Sequence, residues 1–151
     1  MNKNFIPPKL YKKITATVPL SCVDLVIKRK NQFLLVRRLE KPAQNRWWFP
    51  GGRIFFNEKM ESTVRRKLRE EINVLKPKKI EFLGVGETMF KDGYFSKPAH
   101  TVNHVFLVEI GDKEGRQIKI DNTSSDYQWF SGIKKEFHPY MKEFLKKAKF
   151  K

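Results

Sequence analysis

Residues 58–72, EKMESTVRRKLREEI, constrain the fold of this chain more than any other segment. Met60, Val64, Leu68 and Ile72 recur every fourth residue, which predicts an amphipathic helix with one buried stripe. Asn57 is placed to cap its start, and Glu58 and Glu61 put negative charge where the helix dipole favours it. At the far end Asn73 can take the left-handed conformation that stops a helix, and Pro77 prevents its continuation. A helix with a single apolar stripe needs a second layer to cover it. Residues 21–29 and 33–38, joined by Lys30-Asn31-Gln32, read as a β-hairpin, and 80–90, 101–110, 116–120 and 126–130 are further strand candidates. A C-terminal helix within 132–150 places Phe137, Met141, Phe144, Leu145 and Ala148 at helical spacing. Residues 1–15, with two prolines, are expected to form an extended arm.

The length of 151 residues suits one domain, and 40% apolar residues suffice for a real core. A single cysteine, Cys22, excludes an intrachain disulfide, and no paired Cys/His spacing suggests a zinc site. No apolar run approaches the roughly 20 residues of a membrane span, so a cytoplasmic setting is expected. The net charge of +16 points to anionic partners. Nucleic acid stays open as one of them, although the lysine runs at 76–79 and 134–151 read first as a solvated surface.

By helical geometry Glu70 and Glu71 sit at the border of the buried stripe, where paired carboxylates repel unless a cation joins them. Hard oxygen donors suit Mg²⁺ or Mn²⁺, while pairing with Arg66, Lys67 or Arg69 is the plain structural alternative. Upstream, Gly51-Gly52 lets backbone approach a ligand closely, and Arg37, Arg38 and Arg53 offer guanidiniums to phosphate. Trp47, Trp48 and Phe49 could stack on a base or pack in the core.

Together, Gly52-x5-Glu58-x7-Arg66-x-Leu68-x-Glu70-Glu71-x-x-Val74 resembles the Nudix box, Gx5Ex7REUxEExGU with U aliphatic. Every spacing matches, and all but two fixed positions. Asn73 replaces a glycine, a mild change because Asn also tolerates the left-handed region. Lys67 replaces the first glutamate of REUxEE, a residue that in many family members helps bind metal or serves as base. An ammonium there would neutralise part of the Glu70–Glu71 charge and disfavour a cluster of several ions.

Loss of that glutamate is shared with the GDP-mannose mannosyl hydrolase branch. The likeness to this branch covers roughly residues 17–130 and includes Asp24, Arg38, Trp48, Pro50-Gly51-Gly52-Arg53 and Asp126-Tyr127-x-Trp129. The resemblance implies a single α+β Nudix domain, a mixed sheet sandwiched between helices, and a homodimer. It implies Mg²⁺ held by the Gly51 carbonyl and Glu71, with Glu70 and Glu58 close by. Arg38, Arg53 and Arg66 would neutralise the diphosphate, Trp48 would line the substrate site, and Asp24 would contact sugar or base. The implied reaction is hydrolysis of a nucleoside diphosphate sugar, with water attacking the anomeric carbon. Alternatives are a pyrophosphatase cleaving between phosphorus atoms and a weakly active nucleotide- or RNA-binding module. The branch's histidine base and a metal-binding glutamine fall on Ser124 and Thr123, which cannot replace them. His104 and Glu87 are therefore the leading substitutes, with Glu58 completing the candidate catalytic set, ahead of His100, Asp121 and Asp126.

Overall fold

The computed structural model describes residues 4–151. Its centre is β1 (Leu20–Arg29), whose middle residues are buried on both faces and read as a near-continuous apolar run. A two-residue turn at Lys30-Asn31 leads into β2 (Gln32–Arg38). The two strands stay paired only from Ile27↔Leu34 to Arg29↔Gln32, then separate. The gap between them holds β3 (Trp47–Trp48), paired with β2, and β4 (Gly51–Arg53), paired with β1. Strand β5 (Lys79–Phe90) runs antiparallel to β6 (Ala99–Glu109), which lies parallel to β1, and β7 (Ser124–Phe130) pairs with β2. The sheet is mixed, as the family resemblance implies.

Strand alternation gives this sheet two apolar faces. Val23, Leu25, Ile27, Leu34 and Val36 pack against Val64, Leu68 and Ile72 of a helix at Met60–Ile72. On the other face Val26, Phe33, Leu35 and Val105 pack against Tyr140, Met141, Phe144 and Leu145 of a second helix, Pro139–Lys147. In chain order these are α2 and α4. Helix α1 (Pro8–Thr17) and the short α3 (Asp112–Arg116) complete the set. The α+β sandwich is the one the family resemblance implies.

Four local expectations are corrected. Residues 1–3 of the expected arm lie outside the described residues, and most of the remainder forms α1, because Pro8 sits at the start of a helix, where its missing N–H costs nothing. Asn57 does not cap α2: it is left-handed at φ 62°, and Lys59 takes the capping position. Met60 is 41% exposed, and Thr63 is buried instead. Residues 116–120 make no strand. Their backbone closes the end of α2, with Lys119 N–H donating to the Ile72 carbonyl (3.2 Å) and Asp121 N–H to that of Glu71 (3.3 Å). Asn73 does end α2 in the left-handed conformation, at φ 59°.

Because Leu68 is fully buried and Met60 is not, the two ends of the stripe should respond differently. Leu68→Ala is expected to cost about 2–5 kcal/mol in urea unfolding, and Met60→Ala less than about 1 kcal/mol.

Candidate functional site

The gap between β1 and β2 opens into a cavity of about 160 Å³. Six residues singled out from the sequence line it: Asp24, Arg38, Trp48, Gly51, Arg53 and Glu71. Each is placed by a strand or helix end. Asp24 points from β1 toward α4, Gly51 and Arg53 belong to β4, and Glu71 ends α2. Register pairs Asp24 with Gly51. A Cβ at Gly51 would lie 2.2 Å from the Val23 carbonyl and 2.5 Å from Asp24 Oδ1, so only glycine permits this approach.

Asp24 is buried, and Tyr140 of α4 donates its hydroxyl to Oδ2 at 2.6 Å. Desolvation pushes the Asp24 carboxyl up to about 7, against the Tyr140 hydrogen bond and the Arg38 charge, which pull it down, and with Glu71 adding to the rise. This carboxyl, raised toward neutral pH, thereby feels the Arg38 guanidinium in a cavity that Arg53 also lines. Cys22 lines the same cavity, but burial pushes its thiol up to about 12, which leaves it unreactive. Tyr140 stacks on Trp48 with ring centroids 5.8 Å apart. Arg38 Nε donates to the Pro42 carbonyl (2.8 Å), and Arg53 lies over the Phe55 ring at 4.9 Å.

Glu58, just before α2, forms a network with Arg66 and Glu70 of that helix, and none of the three lines the cavity. Arg66 grips Glu58 with two hydrogen bonds, Nε to Oε1 at 2.7 Å and Nη2 to Oε2 at 2.9 Å. It also donates to the Arg53 carbonyl (3.0 Å) and to Glu70 (3.2 Å). Glu58 further accepts from Phe55 N–H and the Thr63 hydroxyl. The Arg66 hydrogen bonds are the main cause holding the Glu58 carboxyl down at about 2. This network positions β4 against α2, and Arg66 is committed to it rather than turned toward a phosphate.

The structure does not bring His104 or Glu87 to the cavity. Asn103 lines it, so the neighbouring His104 projects from the opposite face of β6, where Nδ1 lies 3.1 Å from the Cys22 carbonyl. Glu87 is on β5, paired with His100 at 2.8 Å in an exposed position. Asp121 accepts from Thr123 in its own turn. Sequence reasoning missed Tyr140, Thr88, Thr101, Asn103 and Tyr94. Thr101 and Asn103, two polar residues at alternate positions of β6, carried a signal that could have found two of them.

The expected magnesium site can be tested on its donors. Glu71 Oε2 accepts from Gly51 N–H at 3.2 Å, and Oε1 meets the Lys67 ammonium at 2.7 Å. Lys67 is also 3.5 Å from Glu70, and its side chain lies against the α-carbon of Gly52. Among the described residues no three His, Cys, Asp or Glu side chains converge as ligands for an ion. The cation position between Glu70 and Glu71 is held by the chain itself. As arranged, these residues do not fit a divalent ion.

The NUDIX domain model matches residues 19–147 of this chain. The chain belongs to the NUDIX family. Its hydrolase relatives generally use divalent ions, which makes the Lys67 contact a departure from the family pattern. This NUDIX chain is 31% identical over 143 residues to the low-salt glycan biosynthesis protein Agl8 of Haloferax volcanii, covering 93% of this chain and 88% of that one. It is 27% identical over 112 residues to an ADP-ribose pyrophosphatase of Methanocaldococcus jannaschii, covering 74% of this chain and 62% of the relative. A MutT NUDIX hydrolase from Burkholderia pseudomallei shares the fold with a TM-score of 0.70 at 20% identity, over 87% of this chain and 98% of that one. No helix among the described residues is long and apolar enough to cross a membrane.

The raised Asp24 carboxyl has a consequence for stability. Its proton is held more tightly in the folded than in the unfolded chain, so folding is unpenalised below about pH 4 and loses stability as pH rises from there to about 7. Asp24→Asn removes that titration. It is expected to raise the melting temperature above that of the unsubstituted protein at pH 8, with the gap closing at pH 4, as thermal unfolding across pH will show.

Proposed function

We propose that this NUDIX hydrolase acts on a nucleoside diphosphate sugar resembling GDP-mannose, releasing nucleoside diphosphate and free sugar by attack of water at the anomeric carbon. The observation that carries this reading is the buried Asp24 carboxyl, held by the Tyr140 hydroxyl in a cavity that Arg38 and Arg53 also line, where burial pushes it up toward neutrality. Ionised Asp24 takes the proton of the attacking water at Oδ1, while Tyr140 holds Oδ2. Arg38 and Arg53 stabilise the charge that gathers on the departing diphosphate. Trp48 and Tyr94 line the walls and offer aromatic surface to sugar or base. A cavity of about 160 Å³ takes the reacting centre alone. Trp48 also lines a neighbouring hollow of about 450 Å³ with Arg37, Arg46, Trp47 and His138, large enough for the rest of a nucleotide.

The relative named for glycan biosynthesis supports a sugar-bearing substrate. The relative named an ADP-ribose pyrophosphatase favours a second reading, cleavage between the two phosphorus atoms. Magnesium or manganese would be the family's usual cofactor. A cytoplasmic homodimer belongs to the same proposal on the strength of the branch resemblance.

Hydrolysis of GDP-mannose in ¹⁸O-labelled water separates the two readings. Label in the free sugar is expected, and label in a phosphate would establish attack at phosphorus. Asp24→Asn should lower kcat by about a hundredfold or more and abolish the rise in rate through pH 7. A variant retaining both would remove Asp24 from the chemistry.

A further inference from the structure

We propose that Lys67 is a built-in cation that stands in for a divalent ion at the Glu71 corner, so that the free protein binds Mg²⁺ or Mn²⁺ poorly. The ammonium lies 2.7 Å from Glu71 and 3.5 Å from Glu70, within ion-pair reach of both carboxylates that would hold a metal. Its position is fixed. The Lys67 side chain is only 14% exposed, and its Cε lies where any side chain at Gly52 would have to go. Glu71 is buried, with its other oxygen committed to Gly51 N–H, so its charge already has a complete set of partners. Glu58 is saturated by Arg66, Phe55 and Thr63, so it is not free to join Glu70 and Glu71 around an ion. A divalent ion entering this corner must break the Lys67–Glu71 pair and then sit beside the displaced ammonium, and at such separations like charges repel by several times thermal energy.

This inference deepens the proposed function and rests on it for the identity of the ligand, a diphosphate that Arg38 and Arg53 would neutralise without a metal bridge. Its test needs no nucleotide, so a failed search for substrates leaves it standing. Free Mn²⁺ is followed by its paramagnetic resonance signal as the purified protein is titrated, for the unsubstituted chain, Lys67→Glu and Lys67→Met. The glutamate turns the summed charge of positions 58, 66, 67, 70 and 71 from −1 to −3. The methionine removes the ammonium with little change of volume and keeps the test valid if the extra carboxylate prevents folding, which circular dichroism would reveal. A gain in Mn²⁺ affinity of roughly tenfold or more in a folded variant is expected. A smaller gain, or tight Mn²⁺ binding by the unsubstituted chain, overturns the proposal.

Discussion

The carboxylate of Glu71 is the tie on which the cleft depends. Buried at the end of α2, it accepts a hydrogen bond from Gly51 and an ion pair from Lys67. One side chain therefore anchors the glycine pair, and with it β4, to the helix. Removing Lys67 alone would leave a buried, partly unpaired negative charge, so this position couples structure to whatever cation is present. The Glu58–Arg66 pair forms a second tie one turn and a half away, fastening Arg66 to the Arg53 backbone. Between them the two ties hold β4, the floor of the cavity, against α2.

Above that floor the sheet supplies polar groups by alternation. Asp24, Thr101 and Asn103 project from neighbouring strands into the cavity, while Val23 and Leu25 on either side of Asp24 pack against α2. The arrangement needs β1 and β2 to separate after a short hairpin, because a fully paired hairpin would leave no room for β3 and β4. Burial then does to Asp24 what no sequence motif dictates: it raises a carboxyl into the range where protons move at neutral pH.

The parts legible in the sequence were those written locally. The α2 stripe at Val64, Leu68 and Ile72, the left-handed Asn73 and the box spacing all depend on neighbours within a few turns. The gathering of Asp24, Arg38, Gly51, Arg53 and Glu71 was legible through family resemblance rather than through any local pattern. What stayed hidden depends on distant partners. Tyr140 is 116 residues from Asp24, and nothing near either residue announces the hydrogen bond. His104 sat on a strand whose existence was clear but whose facing was not, and a shift of one residue decides whether a side chain enters the cleft. Residues 116–120 had strand-like composition, yet their backbone groups found partners at the end of α2 instead of in a sheet.

The link between Tyr140 and Asp24 also sets an order of assembly. The strands, the diglycine bend and α2 are all encoded before residue 131, and so are both guanidiniums. The phenol that steadies the central carboxyl arrives only with the final helix. A chain emerging from the ribosome thus holds an unfinished pocket until α4 docks on the sheet and Tyr140 reaches Asp24.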